Sequence, residues 1–133
     1  MKIHTTNYQD AFILVSDDCP AAIGEVPPRK AAANIQFEMI SKNPYKYTSD
    51  DVLFHVFAER HDLAPAEMEA ERAHFFSKGQ PCLRASPLTK RYGWGVHSDQ
   101  NGKVALFGCD SAEYKKLSKD DSLQVLKAMK SSR

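Results

Sequence analysis

The sequence is poor in the residues that mark specialised protein classes. It has three cysteines in 133 residues, too few for a disulfide framework. Cys19, Cys82 and Cys109 stand far apart, with no CxxC motif and no Cys/His spacing of zinc-finger type. Three reduced thiols in a cytoplasmic protein is the expected state, with one disulfide plus a spare thiol as the alternative. No run of ~20 apolar residues occurs, which excludes a helical membrane span. The short apolar run 11–15 leads into Ser16, Asp17 and Asp18 rather than a small-residue cleavage site, so it reads as a strand and not a signal segment. Charge of one sign is also missing: 18 basic and 17 acidic residues leave a formal charge of +1. That balance disfavours a strong non-specific nucleic-acid binder, although it does not exclude nucleic acid as a partner. There is no internal repeat, no low-complexity tract and no linker, so one domain over 1–133 is expected.

What is present is ordinary in amount but uneven in distribution. Hydrophobic residues make up 42% and charged residues 26%, which excludes a disordered tail or a collagen-like rod. Residues 1–66 hold six basic and nine acidic side chains, whereas residues 67–133 hold twelve and eight. From Arg72 to Ser98 there is no acid, while Arg72, Lys78, Arg84, Lys90, Arg91, His74 and His97 all fall within that span. Such a strip is either a solvated basic edge balanced by the acidic first half, or a surface that attracts an anion.

Local patterns predict an early strand over 8–15, where Tyr8, Phe12, Ile13, Leu14 and Val15 suit an extended segment. A Pro- and Gly-punctuated loop follows, then a helix over 31–41 ending at Asn43-Pro44. Thr48-Ser49-Asp50-Asp51 reads as a capped helix start. The residues after it fit a helix through Leu53, Val56 and Phe57, or a strand through Val52, Phe54, Val56 and Ala58. Pro65 opens a further helix with Met68, Phe75 and Phe76 inward and Gly79 as its stop. Residues 82–86 read as extended. A hairpin is expected over 91–98 and 103–108, with Asn101-Gly102 in its turn. Helices over 112–117 and 120–129 complete the chain, and 130–133 should fray. The order implies an α+β fold: a small, mostly antiparallel sheet, built from the early strand and the hairpin of the second half, packed with about five helices.

The candidate chemistry concentrates in residues 75–88 and 90–97. For a small anionic ligand, Lys78, Arg84, Lys90 and Arg91 supply charge, Ser86 and His97 supply hydrogen bonds, and Tyr92 and Trp94 supply aromatic surface. Each has a structural alternative. Trp94 anchors a hairpin core equally well, its flanking glycines allow close backbone approach, and Arg84 could pair with Asp50 or Asp51. Cys82 between Lys78 and Arg84, with His74 or His97 as base, is a weak nucleophile candidate; a buried cysteine is more often a small hydrophobe. Ser77-Lys78 with Ser86 lacks a third group. No metal site is expected, because His55, His61 and His74 share no ligand spacing, and the paired acids Asp17-Asp18 and Asp50-Asp51 read as caps or solvated groups. Tyr45 and Tyr47 either line a cleft beside the strip or cover the core edge. Which cofactor, if any, the chain uses is not legible from these residues.

Three segments carry a resemblance: NPYKYTSDDVLF (43–54), FFSKGQPCLRASPL (75–88) and YGWGVH (92–97). With Thr5-Thr6-Asn7-Tyr8, Asp18-Cys19-Pro20, Gly24-Glu25 and Pro27-Pro28, the chain resembles a family of small stand-alone proteins known only as a domain of unknown function. The resemblance covers nearly the whole chain. It implies a single-domain protein of this length and no activity. The leading expectation is therefore a binding module for a phosphorylated or nucleotide-like ligand. An enzyme using Cys82 and an interaction domain or homodimer are the alternatives.

Overall fold

Ala11, Phe12 and Ile13 are almost wholly excluded from solvent, which places this apolar run at the centre of the molecule. A computed structural model describes residues 4–130. In it, Ala11–Leu14 forms β1, flanked on one side by β2 (Trp94–Ser98), which in turn pairs with β3 (Val104–Gly108). On the other side lies β4 (Gln124–Lys127), giving the sheet order β3-β2-β1-β4. The β1–β2 and β2–β3 pairs are antiparallel and β1–β4 is parallel. The fold is α+β, with a small, mostly antiparallel sheet and, among the described residues, five α-helices: α1 (Ala32–Lys42), α2 (Ser49–Arg60), α3 (Met68–Phe75), α4 (Pro87–Lys90) and α5 (Ala112–Ser118). No helix among the described residues is long and apolar enough to cross a membrane.

Strand β4 corrects the helix expected over 120–129. Leu123, Leu126 and Met129 suggest a helical face, but the Asp120 carboxylate accepts from the Ser122 N–H at 2.9 Å and its hydroxyl at 2.6 Å, closing a turn. The chain then meets the open edge of β1, whose buried backbone groups need partners. Gln124 N donates to Asp10 O and Ala128 N to Leu14 O, each at 2.9 Å. The expected fraying of 130–133 falls, beyond Lys130, outside the described residues. The early strand is also shorter than expected, and 82–86 is not extended: Leu83–Ala85 is a single 3-10 turn. In the hairpin, Gly102 alone of the turn pair takes positive φ, at 78°. Gly102 N bonds Asp99 O and Asp99 N bonds Lys103 O, a three-residue loop with glycine at its left-handed position.

The rivalry between helix and strand over 50–60 is decided for helix, and the alternating pattern has a physical cause. Thr48 Oγ1 accepts from Asp51 N at 3.1 Å while the Asp51 carboxylate accepts from Thr48 N at 3.0 Å, a capping box that starts α2. The helix is then buried on two sides. Val52 belongs to the core between sheet and helices, with Ile13, Ile40, Leu88, Val96 and Val104. Phe54 and Ala58, one turn apart, belong to a second cluster with Phe76, against which Phe57, Met68 and Phe75 pack. Two i,i+4 stripes on opposite sides of one helix read in sequence as period two. Helices α1 and α4 pack on the sheet as well, while α5 contacts β1 and β3 and lays Tyr114 edge-on against Phe12, with ring centroids 5.2 Å apart.

The start of α2 also anchors the chain before β1. The nearly buried Asp50 carboxylate accepts from Thr5 Oγ1, Thr6 N and Thr6 Oγ1, each at 2.7 Å. Asp50 N donates to Asn7 Oδ1 at 2.9 Å. Asp50→Ala is expected to strand three donors and cost about 2–4 kcal/mol in urea unfolding, whereas Thr5→Val, losing one part-buried bond to Asp50 and one exposed bond from Asn7 N, costs about 1 kcal/mol.

Candidate functional site

Residues 75–88 build one wall of an apolar pocket. Helix α3 ends at Phe75, before the expected glycine stop, and Gln80 Nε2 donates back to Phe75 O at 2.8 Å, folding the loop over. The 3-10 turn Leu83–Ala85 follows. Ser86 then caps α4 by accepting from Leu88 N at 3.1 Å, with Pro87 at the first helical position. The same Ser86 hydroxyl donates to Gln36 Oε1 on α1 at 2.6 Å in a buried bond. Between this loop, Gln36 of α1 and Leu53 and Val56 of α2 lies a pocket of about 200 Å³, completed by Phe75, Gln80, Pro81, Cys82, Ala85, Ser86 and Pro87. The Cys82 thiol also lies 3.6 Å from the Tyr8 hydroxyl. Burial and then the bond to Cys82 push the Tyr8 phenol up, with Arg84 opposing, so it stays protonated at neutral pH.

The remaining residues of the basic strip are distributed around the fold. Lys78 is exposed on the loop between Phe75 and Gln80, and Arg84 follows Cys82 and Leu83, so both belong to the loop that walls the pocket without lining it themselves. Arg84 also holds the end of β4, because its Nε donates to Lys127 O at 2.7 Å and its carbonyl accepts from Met129 N at 2.8 Å. The acids considered for Arg84 are taken by other groups. Arg72 pairs with Asp51 at 2.9 Å while lying over the rings of Phe54 and Phe76, and Asp50 serves Thr5 and Thr6.

The backbone carbonyls of Lys90 and Tyr92 and the indole of Trp94 meet the loop of residues 16–26, while Arg91 is exposed. Ser16 Oγ donates to Lys90 O at 3.3 Å, Glu25 N donates to Tyr92 O at 2.8 Å, and Trp94 Nε1 donates to Glu25 O at 2.7 Å. Trp94 is half-buried and meets Phe37 with ring centroids 5.3 Å apart, so much of its surface serves packing. Its flanking glycines do permit close approach: a Cβ on Gly93 would stand 2.3 Å from Ile23 O, and one on Gly95 would stand 2.6 Å from Phe12.

His97, three residues on, faces the opposite side of the sheet from Trp94 because side chains alternate along a strand. It lines an acidic hollow of about 410 Å³ with Asp10, Asp99 and Asp120. Tyr45, held at φ 59°, brings its hydroxyl 2.8 Å from His97 Nδ1. Tyr47 packs on the core and lines a hollow between α1 and α2, so the two tyrosines do not share a cleft beside the strip. Among the described residues no three of His, Cys, Asp or Glu converge to hold a metal ion.

Of the residues that line the pocket, sequence reasoning singled out Cys82 and Ser86 as ligand or catalytic candidates but not Gln36, Leu53 or Val56, nor Tyr8 beside Cys82; Lys78 and Arg84 are not among the lining residues. Gln36 had a legible signal: it lies three residues after Ala33 and four before Ile40, a polar residue on the buried face of α1. The others are ordinary core residues in sequence.

A model of a family described as a family of unknown function (DUF6157) matches residues 3–133. No curated protein and no solved structure matches the chain.

Burial at His97 and the partners of Asp51 contribute to the acid stability. Burial lowers the His97 imidazole, with Asp99, Asp10 and Asp120 opposing, so the folded protein favours neutral histidine. Burial raises the Asp51 carboxyl, but the Thr48 N–H and Arg72 together hold it below its ordinary value. Between the lowered His97 value and the ordinary 6.5, the unfolded chain binds a proton that the folded chain does not. Stability therefore falls as pH drops below 6.5, and falls further below 3.8 as Asp51 protonates. Urea midpoints against pH should show both limbs, and His97→Gln should flatten only the first.

Proposed function

The chain belongs to this family of unknown function, and from its own residues we propose that it is a binding module for a small organic anion: an apolar body seated in the pocket walled by residues 75–87, with the acid group at its rim. The carrying observation is the coincidence of an apolar pocket with a chain segment that has no carboxylate. Leu53, Val56, Phe75, Pro81 and Pro87 offer apolar surface, while Cys82, Gln36, Gln80 and Ser86 offer a few polar groups, the usual make-up of a ligand pocket. Lys78 and Arg84 stand on the wall loop, and the run from Arg72 to Ser98 contains no acid to neutralise them. At about 200 Å³, the pocket is smaller than the ~300–1,000 Å³ that hold drug-sized ligands, so the occupant is small. The pocket lining includes no histidine and no carboxylate. This favours binding over catalysis by Cys82, which has a protonated phenol beside it rather than a base.

Thermal unfolding with a series of short alkyl and aromatic carboxylates and phosphates tests the reading. A ligand at 100 times its Kd adds about 2.7 kcal/mol, several degrees for a domain of this size. At least one acid of the series should raise the melting temperature, and the neutral amide of the same body should bind about tenfold more weakly. Lys78→Ala, at an exposed residue, should leave the unliganded melting temperature unchanged and weaken the acid about tenfold. Ala85→Leu, which replaces a pocket methyl by an isobutyl group, should abolish the shift. No shift from any acid, or a shift that survives Ala85→Leu, would overturn the proposal.

A further inference from the structure

The two cysteines outside the pocket meet at a single acceptor. Cys19 lies on the loop between β1 and α1, and Cys109 directly follows β3. Both thiols, half-buried and free, donate to the carbonyl oxygen of Ala21, from 3.9 Å for Cys19 and 3.8 Å for Cys109. The backbone around them is held in place: Cys109 N donates to Gly93 O at 2.8 Å, and Cys19 N donates to Ser16 O at 3.1 Å. This loop is also the one that clasps Trp94 through Glu25 and packs Ile23 against Gly93. Cys82 is engaged elsewhere, beside Tyr8.

We propose that Cys19 and Cys109 are a redox pair whose disulfide staples the loop of residues 16–26 to the end of β3. Two sulfurs within 3.9 Å of one oxygen stand less than about 8 Å apart, a gap that a turn of each side chain narrows, and an S–H to a carbonyl is a weak bond to give up. The oxidant is a small disulfide of the glutathione class. The thiolate of one cysteine attacks a sulfur of that reagent, breaking its S–S bond and releasing one thiol. The second thiolate then attacks the protein sulfur of the mixed disulfide, forming the Cys19–Cys109 bond and releasing a second thiol. Two electrons and the two thiol protons end on the reduced reagent. Burial and the neighbouring Cys19 push the Cys109 thiol up, so it remains protonated at neutral pH until exchange draws it in. Closing the bond turns a hydrogen-bonded clasp around Trp94 into a covalent one across a long stretch of chain.

The test equilibrates the full chain in graded mixtures of reduced and oxidised glutathione, traps free thiols by alkylation and maps the peptides by mass. The expected product has lost two hydrogens and contains a Cys19–Cys109 linked peptide, with Cys82 alkylated. Its melting temperature rises by roughly 10 °C, as for closure of a long loop, and falls back on reduction. Cys82→Ser should keep the cross-link, and Cys19→Ser or Cys109→Ser should abolish it. A cross-link that involves Cys82, mixed disulfides with glutathione alone, or no oxidation across the range would overturn the proposal.

Discussion

The first turn of α2 is the constraint on which the rest of the structure depends. Two adjacent acids act in different directions there. Asp51 closes the cap with Thr48 and reaches Arg72 on α3, while Asp50 receives the Thr5–Thr6 segment. One turn of helix thus ties together the chain before β1, the approach to α2 and the helix that follows. The dipole of α2 favours negative charge at this end, so the acids are stabilised by the helix they start. With α2 held, Val52 enters the sheet core, Phe54 and Ala58 face α3, and Leu53 and Val56 form a pocket wall.

The acid-free run from Arg72 to Ser98 is continuous in sequence and divided in space. Arg72 is taken up by Asp51, Lys78 and Arg84 stand on the pocket loop, and the carbonyls of Lys90 and Tyr92 with the indole of Trp94 meet residues 16–26. His97 emerges among aspartates on the other side of the sheet. The strip crosses a helix, a 3-10 turn, a short helix and a strand, and each redirects its side chains. Charge counted along a chain predicts a field only where the backbone keeps one direction.

Trp94 shows how one side chain satisfies two readings. It is a packing residue, in contact with Phe37 and with its N–H bonded to Glu25 O. It is also the point on which the loop of residues 16–26 closes, because Gly24 lies against the indole, where a Cβ would come within 2.8 Å of the ring. Arg84 is similarly double, holding the end of β4 through Lys127 O while belonging to the loop that walls the pocket.

Much of the secondary structure was legible in the sequence because its signals are local. The Thr48–Asp51 cap, the Ser111 cap that accepts from Tyr114 N at 3.1 Å, the buried run at β1 and the hairpin around Gly102 each act within a few residues. The loop of residues 75–88 was singled out as chemically dense for the same reason: its residue types are unusual together. The tertiary structure decided what depends on partners distant in sequence. Residues 124–127 became a strand because β1 offered an unpaired edge, which no helical periodicity near Leu126 could reveal. The pocket exists because α1 and α2 bring Gln36, Leu53 and Val56 to that loop, and the convergence of Cys19 and Cys109 on the Ala21 carbonyl exists because a long loop returns to the end of β3. Propensity, capping and turn chemistry are short-range energies and can be read from neighbouring letters. Strand pairing, cavities and the convergence of distant side chains are long-range, and they form only when the whole chain has chosen its packing.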